Sequence, residues 1–69
     1  MTNYREMSYE DRLRAVKAGL RRLEGGLDAI VKDAGEEGKD RVSQLAAFSR
    51  WYLGEAIDAI QMAREEAKS

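Results

Sequence analysis

The chain has 69 residues and a net charge of -1, with 12 Lys and Arg against 13 Asp and Glu, and it contains no cysteine, histidine or proline. Such a chain forms one small domain that must be stabilised by packing alone, without disulfides or histidine-based metal sites. A hydrophobic content of 43% excludes a disordered chain, and the charge balance shows no overall basic excess of the kind typical of nucleic-acid binding.

The first predicted element is an amphipathic helix over about residues 9–34. Ser8 followed by Asp11 has the spacing of a helix N-cap. The pair Gly25–Gly26 is unfavourable inside a helix, but the apolar pattern passes through it without a phase change, so we predict one continuous helix, straight or bent. The apolar residues form a heptad seam: Tyr9, Leu13, Val16, Leu20, Leu23, Leu27, Ile30 and Ala34.

A turn is predicted over residues 35–38 and a second helix over about residues 39–67. Gly35 is the residue expected to end the first helix in the left-handed conformation. Two helices of similar length joined by a short turn lie antiparallel, so the predicted fold is an all-α helical hairpin comprising one domain. The predicted seam of the second helix comprises Val42, Leu45, Ala46, Ser49, Leu53, Ala56, Ile57, Ile60 and Ala63.

The second helix also carries a second apolar stripe beside its seam. A hairpin can shield only one of the two, and two helices meeting along one seam bury too little apolar surface to offset the entropy of ordering about 60 residues. We therefore expect a second copy to cover the stripe in a homodimeric four-helix bundle. The stripe comprises Phe48, Trp51, Tyr52, Ala59 and Met62.

Trp51 is the residue that neither seam explains. It points nearly opposite Val42 and Ile60 at about 100° per residue, so we expect it to lie in water in an isolated hairpin. Our hypothesis is that Trp51 contacts a different protein or the rim of the dimer, because Trp and Tyr are frequent interface anchors. Phe48, Tyr52 and Met62 would support that contact.

Two glycines of the first helix, Gly19 and Gly26, lie seven residues apart beside its seam. Missing side chains let a neighbouring backbone approach closely. Two interpretations are open, namely packing within the protein's own assembly and a site for a foreign partner.

The sequence holds no recognisable catalytic or cofactor-binding constellation. Its serines have no histidine to activate them; Ser8 is explained as a cap, and Ser49 as a donor to the carbonyl of Leu45. The glycines follow no strand and precede no Gly-Lys-Ser/Thr, so they form no phosphate loop. We expect a protein that is not an enzyme and binds no cofactor or metal. With no secretion signal or membrane-spanning stretch, the expected location is cytoplasmic, without a membrane partner.

Charge is unevenly distributed along the chain. Five basic residues and no acid lie between Arg12 and Arg22, whereas six acids and two lysines lie between Glu24 and Asp40. One face of the first helix is basic and suits either phosphates or an acidic protein surface. The alternative interpretation is a solvated face whose cations pair with acids of a neighbouring hairpin. The residues of this basic face are Arg14, Lys17 and Arg21.

With its two seams and the turn Gly35-Glu36-Glu37-Gly38, the chain resembles two known kinds of protein. One is the Rop-like plasmid RNA-binding hairpin, which dimerises into a four-helix bundle and grips paired RNA loops with one helical face. That resemblance implies RNA contact through Arg14, Lys17 and Arg21. The other is the class of small phage early proteins that disable host proteins, in particular the helical anti-quorum-sensing type, which implies a quorum-sensing regulator and a pilus assembly ATPase as partners.

The function we predict is a non-enzymatic protein-binding module, a small regulator or inhibitor of a host protein such as a transcription regulator or an ATPase. Surplus aromatic surface is better explained by protein contact than by RNA contact. The alternative is an accessory protein that binds RNA or DNA through the basic face. A third hypothesis is a purely structural subunit that associates only with itself.

Overall fold

In this computed structural model, which describes residues 7–68, the chain forms two helices, α1 (Tyr9–Glu36) and α2 (Asp40–Lys68). Contacts between the start of α1 and the end of α2, such as Glu10 with Arg64, show that the helices are antiparallel. The predicted all-α hairpin is confirmed. Both helices extend slightly beyond their predicted C-terminal ends, and the connecting turn is shorter than the predicted 35–38.

The start of α1 has the predicted cap. The Ser8 side chain accepts a hydrogen bond from the backbone N–H of Asp11 over 3.1 Å, and Glu10 and Asp11 place negative charge in the first turn, where the helix dipole favours it. Beyond this cap, α1 continues through Gly25 and Gly26 without interruption, as the unbroken heptad pattern predicts.

The end of α1 corrects one prediction. Gly35 lies inside the helix, and the left-handed residue is Gly38, with φ of 76°. The N–H of Gly38 donates to the carbonyl of Gly35 and the N–H of Lys39 to that of Ala34, which is the Schellman pattern. The prediction for Gly35 was wrong because Glu36 accepts helical geometry, so the helix continues until a glycine can take positive φ.

The hairpin is a thin slab with little interior. Its Cα atoms span 47 × 27 × 12 Å, so it is a single layer of two helices side by side. Among the described residues the buried ones are Ala34, Ala46 and Ile57, and no large side chain is fully buried. Most of the apolar surface is therefore only half covered.

Only one half of the predicted α1 seam packs against α2. The half-buried or buried residues are Leu13, Leu20, Leu27 and Ala34, one every seven positions. The other half remains exposed, because the apolar arc of α1 is wider than the contact that one antiparallel helix can cover. The exposed half comprises Tyr9, Val16, Leu23 and Ile30.

Helix α2 departs from its predicted seam in the same way. The seam residues that the hairpin covers are Ala46, Leu53, Ile57 and Ile60, which are buried or half-buried. The remaining seam positions are exposed on one side of this row: Val42, Leu45, Ser49, Ala56 and Ala63.

Candidate functional site

The broad side of the slab on which apolar residues of both helices remain exposed is here named the open face. Leu23 illustrates it, with 60% of its surface exposed. Contiguous exposed apolar surface of this kind is typical of interaction sites. The open face consists of Tyr9, Val16, Leu23 and Ile30 of α1 and of Val42, Leu45, Ser49, Tyr52, Ala56 and Ala63 of α2.

Two shallow grooves run between the helices on the open face. One, of about 530 Å³, lies between Val16 and Ala63 near the start of α1. The other, of about 570 Å³, lies between Leu23 and Ala56 in the middle of the hairpin. Helices associate by fitting ridges of side chains into grooves of this kind.

The glycines Gly19 and Gly26 are not required by the hairpin's own packing. A Cβ added at either position would meet no atom within 4 Å, and Gly26 lines the second groove. Nothing within the described part of the chain therefore explains the missing side chains.

The opposite broad side is named the polar face. On this side, polar side chains of α1 and α2 contact each other across the groove between the helices. Arg50 contacts Glu24 at 3.2 Å and Asp28 at 3.0 Å. Lys17 donates from Nζ to Oε1 of Gln61 over 2.7 Å. The long stems of such side chains cover apolar surface while their charged ends reach water.

The polar face holds the basic residues that the sequence singled out. Arg14 lies 3.3 Å from Glu10 within α1, Lys17 is half-buried, and Arg21 is exposed. The three share this face with the carboxylates Glu10, Glu24 and Asp28. The basic face is thus a mixed surface on which acids alternate with cations.

The third surface is the side of α2 that points away from α1, here named the aromatic edge. It consists of Gln44, Phe48, Trp51, Glu55, Asp58 and Met62, which recur at intervals of four and three residues. Trp51 is 59% exposed, as its predicted direction away from the seam requires. Phe48 and Met62 are exposed as well.

A groove of about 830 Å³ brings three of the predicted partner-binding residues together. Phe48, Trp51 and Tyr52 line it, with Arg41 and Gln44 beside them. The rings of Trp51 and Tyr52 meet edge to face, with centroids 5.0 Å apart. Tyr52 also lines the second groove of the open face, so it joins the two surfaces.

Met62 lies apart from that groove. It is 11 positions beyond Trp51, which is about 16 Å along a helix. The structure therefore brings the three aromatic residues together, places Met62 on the same edge, and puts the three basic residues on a different face.

Sequence reasoning missed the polar contacts that join the two helices, among them those of Ser43 and Arg50. Ser43 donates from Oγ to the carbonyl of Val31 on α1 over 2.9 Å, and Arg50 joins α2 to two carboxylates of α1. The available signal was their spacing, because Ser43 and Arg50 continue the heptad of Ile57 and Arg64 at seven-residue intervals. A polar heptad position indicates a cross-helix polar contact.

Neither helix within residues 7–68 combines the length and apolar character that crossing a membrane requires. Comparisons of the chain with protein-family profiles, with curated proteins and with solved structures find no match. Functional inference therefore depends on the surfaces described above.

Proposed function

We propose that this chain is a non-enzymatic protein-binding module that acts as a homodimer. Two hairpins join through their open faces and form a four-helix bundle, while the aromatic edge remains outside and binds a different protein that the module regulates or inhibits. The observation that supports the proposal is that exposed apolar side chains lie on two separate sides of the hairpin, the open face and the aromatic edge. This proposal replaces the expectation that the second copy covers the stripe of Phe48, Trp51 and Met62, because the grooves between the two helices lie on the open face. A second copy laid there leaves Trp51 outside the interface.

Exposed apolar side chains support pairing through the open face. Leu23 and Ile30 of α1 are 60% and 47% exposed, and Val42 and Leu45 of α2 are 48% and 49% exposed. Both helices thus contribute apolar surface to one broad side, where a second hairpin would cover it in a bundle.

Charge and shape favour a second copy as the occupant of the open face. Its centre is uncharged, and the charged residues that line its grooves, Arg12, Arg22 and Glu66, stand at the rims. Two identical faces therefore meet without burying like charges. Gly19 and Gly26 permit the close helix approach that a bundle uses.

The test of the dimer compares Leu23→Glu with Ala29→Glu, since Ala29 is exposed on α1 outside the three surfaces. We expect the natural chain and Ala29→Glu to sediment at twice the 7.8 kDa chain mass, and Leu23→Glu to sediment as a monomer with reduced helix content. A fully helical monomer of the natural chain at tens of micromolar would contradict the proposal.

The test of partner binding is capture from a cognate cell lysate, divided into nuclease-treated and untreated halves. The bait is the natural chain, Trp51→Ala, or the double variant Arg14→Ala/Arg21→Ala. We expect a protein that survives nuclease and is retained by the double variant but lost with Trp51→Ala. Retention that needs Arg14 and Arg21 and disappears with nuclease would instead support the RNA-binding alternative.

A further inference from the structure

We infer that the aromatic edge binds a basic amphipathic helix, in a complex anchored by Phe48, Trp51 and Met62. This inference rests on the proposed function as a protein-binding module and specifies the chemistry of its partner. It concerns the outer side of α2 alone, whereas the open face is assigned to the second copy.

The spacing of the edge fits a helix. Phe48, Trp51, Glu55, Asp58 and Met62 follow one another at intervals of three and four residues, so they form one straight row along α2. A helix laid along such a row meets it once in every turn, as amphipathic helices do when they bind through apolar anchors. The groove beside Phe48 and Trp51 gives this row a depression into which an anchor side chain fits.

The charges on the edge specify a basic partner. Glu55 and Asp58 lie between the two apolar anchors Trp51 and Met62, and no Lys or Arg occurs between Arg50 and Arg64.

The cations that bracket this segment are directed elsewhere. Arg50 contacts Glu24 and Asp28 on the polar face, and Arg64 lies 3.8 Å from Glu10. The middle of the edge therefore carries negative charge with no cation of α2 opposite it, and complementary charge selects partners at such rims.

The edge is also electrically asymmetric. Arg41 stands at its N-terminal end beside Phe48, whereas Glu55 and Asp58 lie in the C-terminal half of α2. A partner helix whose basic residues lie opposite Glu55 and Asp58 is thus favoured over one that is acidic throughout. The carboxylates of Glu55 and Asp58 also repel the phosphate backbone of a nucleic acid.

Trp51 is the only tryptophan in the chain, so its fluorescence reports directly on binding at this edge. The probes are two synthetic helical peptides with one shared leucine row, flanked by lysines in one peptide and by glutamates in the other. We expect the lysine peptide to shift Trp51 emission to shorter wavelength. The glutamate peptide should bind at least tenfold more weakly.

The variant Glu55→Gln/Asp58→Asn tests the charge argument. It should weaken binding of the lysine peptide by about threefold to tenfold, the range for two exposed charge pairs. The matched control Asp33→Asn/Glu36→Gln removes the same charge from α1 and should leave the affinity unchanged. Circular dichroism checks that all variants keep their helix content.

Equal affinity for the two peptides, an unchanged Trp51 emission with the lysine peptide, or an emission shift caused by an RNA hairpin would each overturn the inference. Sedimentation of the same samples separates this test from that of the dimer. A dimer that ignores both peptides contradicts the partner chemistry alone, and a monomer that binds the lysine peptide contradicts the bundle alone.

Discussion

Leu23 and Glu24 are neighbours in the chain, yet the leucine is the more exposed of the two. Leu23 is 60% exposed, whereas the Glu24 side chain is 22% exposed and contacts Arg50 at 3.2 Å. If the apolar seam of α1 lay at the centre of its contact with α2, Leu23 would be less exposed than Glu24. The hairpin instead closes one side of its interface with charge pairs and leaves the apolar side open, an arrangement that supports the proposed pairing with a second copy.

The turn gives a prediction with an internal control. Gly38→Ala should lower the free energy of unfolding by about 1–2 kcal/mol, because an alanine at φ of 76° is strained. Gly35→Ala should be neutral or stabilising, since Gly35 is helical and its added Cβ would lie 3.7 Å from Ser43 Oγ, an ordinary contact. Urea denaturation measures both. A larger loss at Gly35 than at Gly38 would contradict the observed turn.

The glycine pair of α1 tests what lies against the open face. Gly25→Ala should raise the free energy of unfolding by about 0.5–1 kcal/mol, the difference in helix propensity. Gly26→Ala would give the same gain in an isolated hairpin, where its Cβ meets no atom within 4 Å. In the proposed bundle its gain should be smaller, with weaker self-association by sedimentation. Identical behaviour of the two variants would count against close packing at Gly26.

The charge pair between Arg50 and Glu24 should be worth more than the pair between Arg14 and Glu10. The Arg50–Glu24 pair links the two helices, Arg50 also contacts Asp28, and the Arg50 side chain is 34% exposed. The Arg14–Glu10 pair lies within α1, and the Arg14 side chain is 61% exposed. Double-mutant cycles in urea should give a coupling of about 1 kcal/mol for the first and about 0.3 kcal/mol for the second. Added salt should reduce both, and equal couplings would argue against a structural role for Arg50.

Trp51 offers a test of which surface the second copy covers. Because Trp51 lies on the aromatic edge and not on the open face, its emission maximum should be the same at every protein concentration. Dilution through the dimer dissociation range should leave the emission maximum unchanged while the sedimenting mass falls. An emission maximum that moves to longer wavelength on dilution would place Trp51 inside the interface between copies.

The amino-acid sequence was sufficient to predict the two helices, the Ser8 cap, the continuity of α1 and the exposure of Trp51. These features depend on local properties, namely capping spacing, helix propensity and the 3.6-residue period. The placement of the turn was less predictable, because Gly35 and Gly38 both suit a helix end and the choice depends on how far the intervening glutamates extend α1.

Only the tertiary structure decided which part of each apolar arc is covered. A heptad pattern shows that Leu20 and Leu23 lie on the same side of α1, but it does not show where along that arc the centre of α2 falls. The cross-helix contacts of Lys17 with Gln61 and of Arg50 with Glu24 are consistent with this rotation, since they form only when both helices turn their polar flanks to the same side. That rotation exposes the open face and separates it from the aromatic edge.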